Sequence, residues 1–315
     1  MGKHVAIIGA GRLGSSLGFL LSFEPFVEEI TLVDIIPSLA RMVGEDILHG
    51  VSHYGIDKKI NAYETSREVE EADMIIITAG AVRKPNMSRR ELAEKNAKIV
   101  KQIIEDVRDN NPKAWYLVVT NPVDALSTLV SRLIGRSDKV IGTGTSLETS
   151  RFKTILSKTL NEPISNIEAY VGGEHGEDAV LLWSLVSIRG KEIDLYLQET
   201  GKTINREMIE EYVKNISSEI IQAQGATIWG PVGTFLEIIR GIFLNTGKIL
   251  CFSTSHKFDE IPEPVYVSVP TKIGKKIGPS LWEYLSEYEK NMVLKAAKSI
   301  YDTYLKCLKS IEKGA

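Results

Sequence analysis

Apolar positions along this chain follow two regimes. Through the first half, short β-branched runs ("HVAIIG", "EITLVD", "ADMIIITAG" and "AWYLVVTNP") alternate with amphipathic segments that begin near Arg12, Pro37, Ser88 and Pro122. Continuous apolar strands separated by amphipathic helices predict a parallel sheet buried on both faces. In the second half, "DAVLLWSLVSI" followed by "RGK" reads as a strand entering a hairpin, and "CFSTS" and "EPVYVSVP" read as antiparallel strands. Long helices are predicted near 205–223 and from Leu281 to the C-terminus. The expected fold is α/β, a doubly wound parallel sheet over residues 1–145 followed by an α+β domain over 146–315. No internal repeat or low-complexity tract interrupts it.

Composition narrows the classes. The 315 residues are 43% hydrophobic and 25% charged, ordinary for a globular, enzyme-sized chain. Lys and Arg number 38 against 41 Asp and Glu, so no global basic field invites nucleic acid. Cys251 and Cys307 are too far apart for a zinc or redox motif, which points to a reducing compartment, by default the cytoplasm. A strand pattern begins within a few residues of Met1, leaving no room for a signal peptide, and the longest apolar runs are far too short to span a bilayer.

"IIGAGRLGSSLGF" sets Gly9, Gly11 and Gly14 in G-x-G-x-x-G spacing, directly after a strand and opening a helix. Such glycines permit a tight turn, close approach of backbone to a pyrophosphate, and close helix–strand packing, while the helix N-terminus favours the anion. Asp34 ends the next strand 20 residues after Gly14, where a carboxylate accepts hydrogen bonds from ribose hydroxyls and repels a 2′-phosphate. The expected cofactor is NAD.

Other candidates are scattered. His175 lies in a glycine-flanked loop, "VGGEHGED", and its imidazole titrates near working pH, as a general base requires. Asn121 follows a strand's C-terminal end, where ligands of open α/β sheets bind. Glu148 and Arg151 stand three apart, on one face of a predicted helix; in isolation the pair reads as a surface ion pair. "AVRKPNMSRREL" gathers Arg83, Lys84, Arg89 and Arg90 around a Pro-Asn pair. His49 and His53 have i, i+4 spacing that could hold a metal, but no strong third ligand is suggested, and no metal is expected.

Together "GAGRLG", Asp34, "GEDILHG", "AGAVRKPNMSR", "TNPVD", "LETSRF", "GGEHGE" and "QGATIWGP" resemble the lactate and malate dehydrogenase family, in order and across nearly the whole chain. The resemblance implies a Rossmann cofactor domain, a substrate domain, and reversible hydride transfer between NAD and a 2-hydroxy acid. It implies cofactor contacts at Gly9, Gly11, Arg12, Leu13, Gly14, Asp34, Thr78, Ala79, Gly80, Asn96, Thr120 and Asn121. His175 matches the acid–base, Arg151 the arginine that pairs the C1 carboxylate, and Arg89 the arginine that polarises the reacting carbonyl. Asn121 matches a residue touching substrate and cofactor, and Thr227 a position lining the substrate pocket. Glu148 stands where the family usually has an aspartate that orients the histidine.

The resemblance implies that the position of Arg83 decides what faces the substrate's far end. An arginine there suits a second carboxylate, so malate and oxaloacetate are expected, with lactate or a broader set of 2-hydroxy acids as the alternative. The resemblance further implies a homotetramer or homodimer. An NAD-dependent glycosidase would need a metal site, and a noncatalytic NAD sensor would not need His175, Arg89 and Arg151 together.

Overall fold

The computed structural model describes residues 2–81 and 89–312, and its chain divides into two units. The first holds the chain up to Thr143, together with Pro264–Tyr266 and the part of the last helix from Tyr301. Its strands are β1 (Lys3–Ile8), β2 (Val27–Val33), β3 (Lys59–Tyr63), β4 (Met74–Ile77), β5 (Trp115–Val118) and β6 (Val140–Gly142), and its helices α1 (Arg12–Ser22), α2 (Leu39–Ser52), α3 (Arg89–Val107) and α4 (Val123–Ile134). The strand order is β3-β2-β1-β4-β5-β6, and each neighbouring pair is parallel.

Every residue of β4 and β5 is buried, as expected of strands covered on both faces. The order reverses between β1 and β4, which is the switch point where open α/β sheets take ligands. The chain leaves those two strands at Gly9 and Thr78, so both turns open at the same end of the sheet.

The second unit spans Gly144–Glu263 and Val267–Ile300. It begins with α5 (Ser146–Leu160), β7 (Ile167–Glu168), β8 (Val171–Gly173), β9 (Ala179–Leu181), β10 (Ser187–Ile188) and β11 (Lys191–Glu192). There follow α6 (Ile193–Thr200), α7 (Arg206–Gln224), α8 (Trp229–Phe243), β12 (Ile249–His256), β13 (Val265–Ile273), β14 (Ile277–Ser280) and α9 (Glu287–Glu312). Strands β12, β13, β8 and β9 are successive neighbours, β14 pairs with β13, and β11, β10 and β7 form a small separate sheet. Phe152, Leu156 and Leu160 of α5 pack with Val171, Leu181, Ile188, Ile209 and Val213 in a core that fixes α5 against β8.

Two sequence expectations change. The apolar run 178–188 is not one strand: a 3₁₀ turn at Trp183–Leu185 separates β9 from β10, because the Ser184 backbone N–H and hydroxyl are drawn to Glu289. The last helix starts at Glu287 rather than Leu281, because Ser286 and Glu289 cap it reciprocally. Trp282–Tyr284 form a separate 3₁₀ turn.

Candidate active site

In the first unit, the turn after β1 is shaped by what a side chain would strike. Gly9 has φ +110°, and a Cβ there would lie 2.6 Å from both Ala79 N and Thr78 Oγ1. A Cβ on Gly14 would lie 1.8 Å from Gly9 O, so helix and turn pack without room for a methyl. Gly11 differs: a Cβ there would meet nothing within 4 Å. Its backbone borders open space directly before the first turn of α1, whose N-terminus has no side-chain cap. Donor N–H groups at an uncapped helix start, beside a glycine open on its outer side, fit a pyrophosphate. Arg12 is exposed and Leu13 half-buried on that turn.

Asp34 follows β2, and its carboxylate is held in place by two backbone donors. Ala10 N donates to Oδ2 at 2.9 Å and Ile36 N to Oδ1 at 2.9 Å. The acid is thus fixed beside the glycine turn, and its remaining lone pairs suit ribose hydroxyls.

The turns after β4 and β5 are tied together. Thr78 Oγ1 donates to Gly9 O at 2.8 Å, and Thr120 Oγ1 to Ala79 O at 2.8 Å. Asn96 is buried on α3; its Oδ1 accepts Ala81 N at 2.7 Å and its Nδ2 donates to Asn121 O at 2.7 Å. The Asn96 amide therefore braces the two turns, a role that its sequence neighbourhood does not reveal. Gly80 sits between them, where a Cβ would come within 2.5 Å of Thr120 Cγ2. Asn121 is exposed, precedes a cis peptide bond to Pro122, and accepts Val123 N on Oδ1 at 3.4 Å.

In the second unit the scattered candidates converge. His175 Nδ1 lies 3.1 Å from Glu148 Oε1 and 3.2 Å from Oε2. Arg151 Nη1 lies 3.7 Å from Glu148 Oε1. Contrary to a surface ion pair, side-chain exposure is 6% for Glu148 and 11% for Arg151. The His175 loop is likewise not fully exposed, its side chain being 27% accessible. Helical spacing reports that two residues share a face but not that the face is inward, and the packing of α5 decides that.

Burial works to raise the Glu148 pKa, yet electrostatic attraction to His175, the hydrogen bond with it and Arg151 outweigh burial and leave it lowered. Glu148 is therefore an anion at neutral pH. For Arg151, burial prevails over Glu148 and Tyr212 and lowers its pKa from 12.5, while a guanidinium stays charged in working conditions. A carboxylate on Nδ1 keeps the proton there and leaves the lone pair on Nε2, the tautomer of a general base. Thr227 is half-buried in the segment between α7 and α8.

Arg83, Lys84 and the side chain of Arg89 lie outside the described residues. Arg90 is exposed and pairs with Glu94 at 2.8 Å. Among the described residues no group of three or more His, Cys, Asp or Glu could hold a metal ion, and no helix is long and apolar enough to cross a membrane.

Comparison with known proteins extends this picture. Residues 3–142 match the family model "lactate/malate dehydrogenase, NAD binding domain", and residues 145–310 match "lactate/malate dehydrogenase, alpha/beta C-terminal domain". A malate dehydrogenase of Sulfolobus acidocaldarius is 35% identical over 309 residues, 98% of each chain. An L-lactate dehydrogenase of Staphylococcus epidermidis is 31% identical over 96% of each. Among solved structures, the malate dehydrogenase of Archaeoglobus fulgidus in complex with NADH superposes with a TM-score of 0.85 at 29% identity, covering 96% of this chain and 99% of that one.

Proposed function

We infer that this chain, which belongs to the lactate/malate dehydrogenase family, is an NAD-dependent malate dehydrogenase that interconverts (S)-malate and oxaloacetate. The observation that carries the chemistry is the buried group in which Glu148 holds His175 Nδ1 at 3.1 Å beside Arg151. Malate over lactate is supported by Arg83 and by the higher identity to a malate dehydrogenase, 35% against 31%.

The glycine turn at Gly9, Gly11 and Gly14 would hold the cofactor's pyrophosphate, Asp34 its ribose hydroxyls, and the turns carrying Thr78, Ala79, Gly80, Thr120 and Asn121 the rest. NAD, when bound, supplies the carbon that accepts hydride. His175 takes the substrate hydroxyl proton onto Nε2, and Glu148 stabilises the imidazolium so formed. Arg151 pairs both oxygens of the C1 carboxylate with a planar guanidinium, which fixes the reacting carbon relative to His175. Arg89 opposes the negative charge that develops on the substrate oxygen.

Arg83 selects the dicarboxylate. A guanidinium facing pyruvate's methyl would be buried without a partner, at a cost of about 3–5 kcal/mol, whereas oxaloacetate supplies the carboxylate. In this reading residues 1–145 serve the cofactor and 146–315 the substrate, and the protein works in the cytoplasm as a homodimer or homotetramer.

The test is NADH oxidation by oxaloacetate in the wild type and in His175→Asn. Turnover in the first and its loss in the second, with NADH binding retained, is the expected result. A noncatalytic NAD binder would show neither turnover nor any effect of the substitution.

A further inference from the structure

The Val171 peptide, four residues before His175, is gripped on both sides by side chains. Its N–H donates to Thr149 Oγ1 at 3.0 Å. Its C=O accepts from Thr145 Oγ1 and from Cys251 Sγ, the latter at 2.8 Å. Thr145 is anchored in turn, its backbone N donating to Ser268 Oγ at 3.0 Å. Thr145, Val171, Cys251 and Ser268 are all buried, so water does not compete for the bonds among them, and Thr149 is half-buried at their edge.

The placement matters more than the number of bonds. Thr145 and Thr149 lie on either side of Glu148 within the opening turn of α5, and Val171 begins the strand that delivers His175. One turn of helix thus fixes both the carboxylate and the strand on which its imidazole partner depends. Glutamate reaches one carbon–carbon bond, about 1.5 Å, further than aspartate, so the separation of β8 from α5 bears directly on how its carboxylate meets the imidazole.

We propose that Thr149 and Thr145 are positioning residues, which clamp β8 to α5 at the separation that lets Glu148 engage His175. This rests on His175 being the acid–base. Without the Thr149 acceptor the Val171 N–H is buried and unpaired, and β8 relaxes away from α5. The Glu148–His175 contact then loosens while Arg151, on α5 itself, keeps its place for the substrate carboxylate.

The experiment measures kcat and KM for oxaloacetate, with pH profiles, in Thr149→Val, Thr149→Ala, Thr149→Ser, Glu148→Gln and the double variant Thr149→Val/Glu148→Gln. The proposal expects kcat to fall roughly 10- to 100-fold in the Val and Ala variants with KM changed far less, since small misplacements of reacting groups have such effects. Serine, which keeps Oγ, restores kcat. The double variant is no slower than Glu148→Gln alone, because the clamp acts only through Glu148. Wild-type kcat in Thr149→Ala, or losses that multiply in the double variant, would overturn the proposal, and the Ala variant decides if Val does not fold. Activity persisting in His175→Asn would instead remove the reading beneath it.

Discussion

Glu148 meets His175 with both carboxylate oxygens, at 3.1 and 3.2 Å from Nδ1, so the imidazole is centred on the carboxylate rather than hung from one oxygen. This geometry supports the proposed role of Glu148 in orienting the imidazole. Glu148→Gln keeps the shape and removes the charge. Turnover is expected to fall roughly 100- to 10,000-fold, with the far-ultraviolet circular dichroism unchanged. Imidazolium loses its stabilising anion, so the pH profile of residual oxidation moves to lower pH. Near-normal turnover would mean that another carboxylate orients His175.

The glycine turn separates folding from binding. Gly14→Ala puts a methyl 1.8 Å from Gly9 O, and overpacking of this kind destabilises by about 1–3 kcal/mol or more. Gly11→Val adds bulk where a Cβ meets nothing within 4 Å, on a backbone with φ −69° that valine adopts without strain. The melting temperature should drop in Gly14→Ala and hold in Gly11→Val, while NADH affinity, read by fluorescence titration, falls roughly 10-fold or more in Gly11→Val. Unchanged NADH affinity in Gly11→Val would place the pyrophosphate elsewhere.

Glu162 ties together elements well outside the reacting groups. Tyr196 OH donates to Oε1 at 2.7 Å, Arg189 Nε to Oε2 at 2.9 Å, and Lys202 Nζ lies 3.4 Å from Oε1. The Tyr196 bond first, then Arg189, hold its pKa down from 4.5 to about 2. A carboxyl whose pKa is lower when folded stabilises fully above about 4.5, and that contribution is lost as pH falls through about 2. Thermal melts should show the wild type losing stability more steeply than Glu162→Gln across that acid interval. Parallel curves would assign the acid sensitivity to other groups.

Much of this was legible in the sequence, for identifiable reasons. Strands β1, β2, β4 and β5 announce themselves because a parallel sheet buried on both faces needs continuous apolar runs, and the glycine spacing marks the turn whose packing forbids a Cβ. The break at Trp183 was not legible, since Ser184 finds its partner Glu289 only 105 residues later in the chain. The start of α9 was available in "SEYE", a Ser-x-x-Glu capping signal at Ser286 and Glu289 that apolar periodicity alone overruns. Nor does any spacing tell that the Glu148–Arg151 face turns inward or that Asn96 braces two turns, because both depend on tertiary packing.

The most direct test of the account is the rate of NADH oxidation with oxaloacetate and with pyruvate, side by side, on the wild type and on Arg83→Gln. If Arg83 pairs the second carboxylate, the wild type favours oxaloacetate roughly 100-fold or more, and the preference collapses in the variant. Equal or greater rates with pyruvate on the wild type would contradict the assignment of malate and show that a residue other than Arg83 sets the specificity.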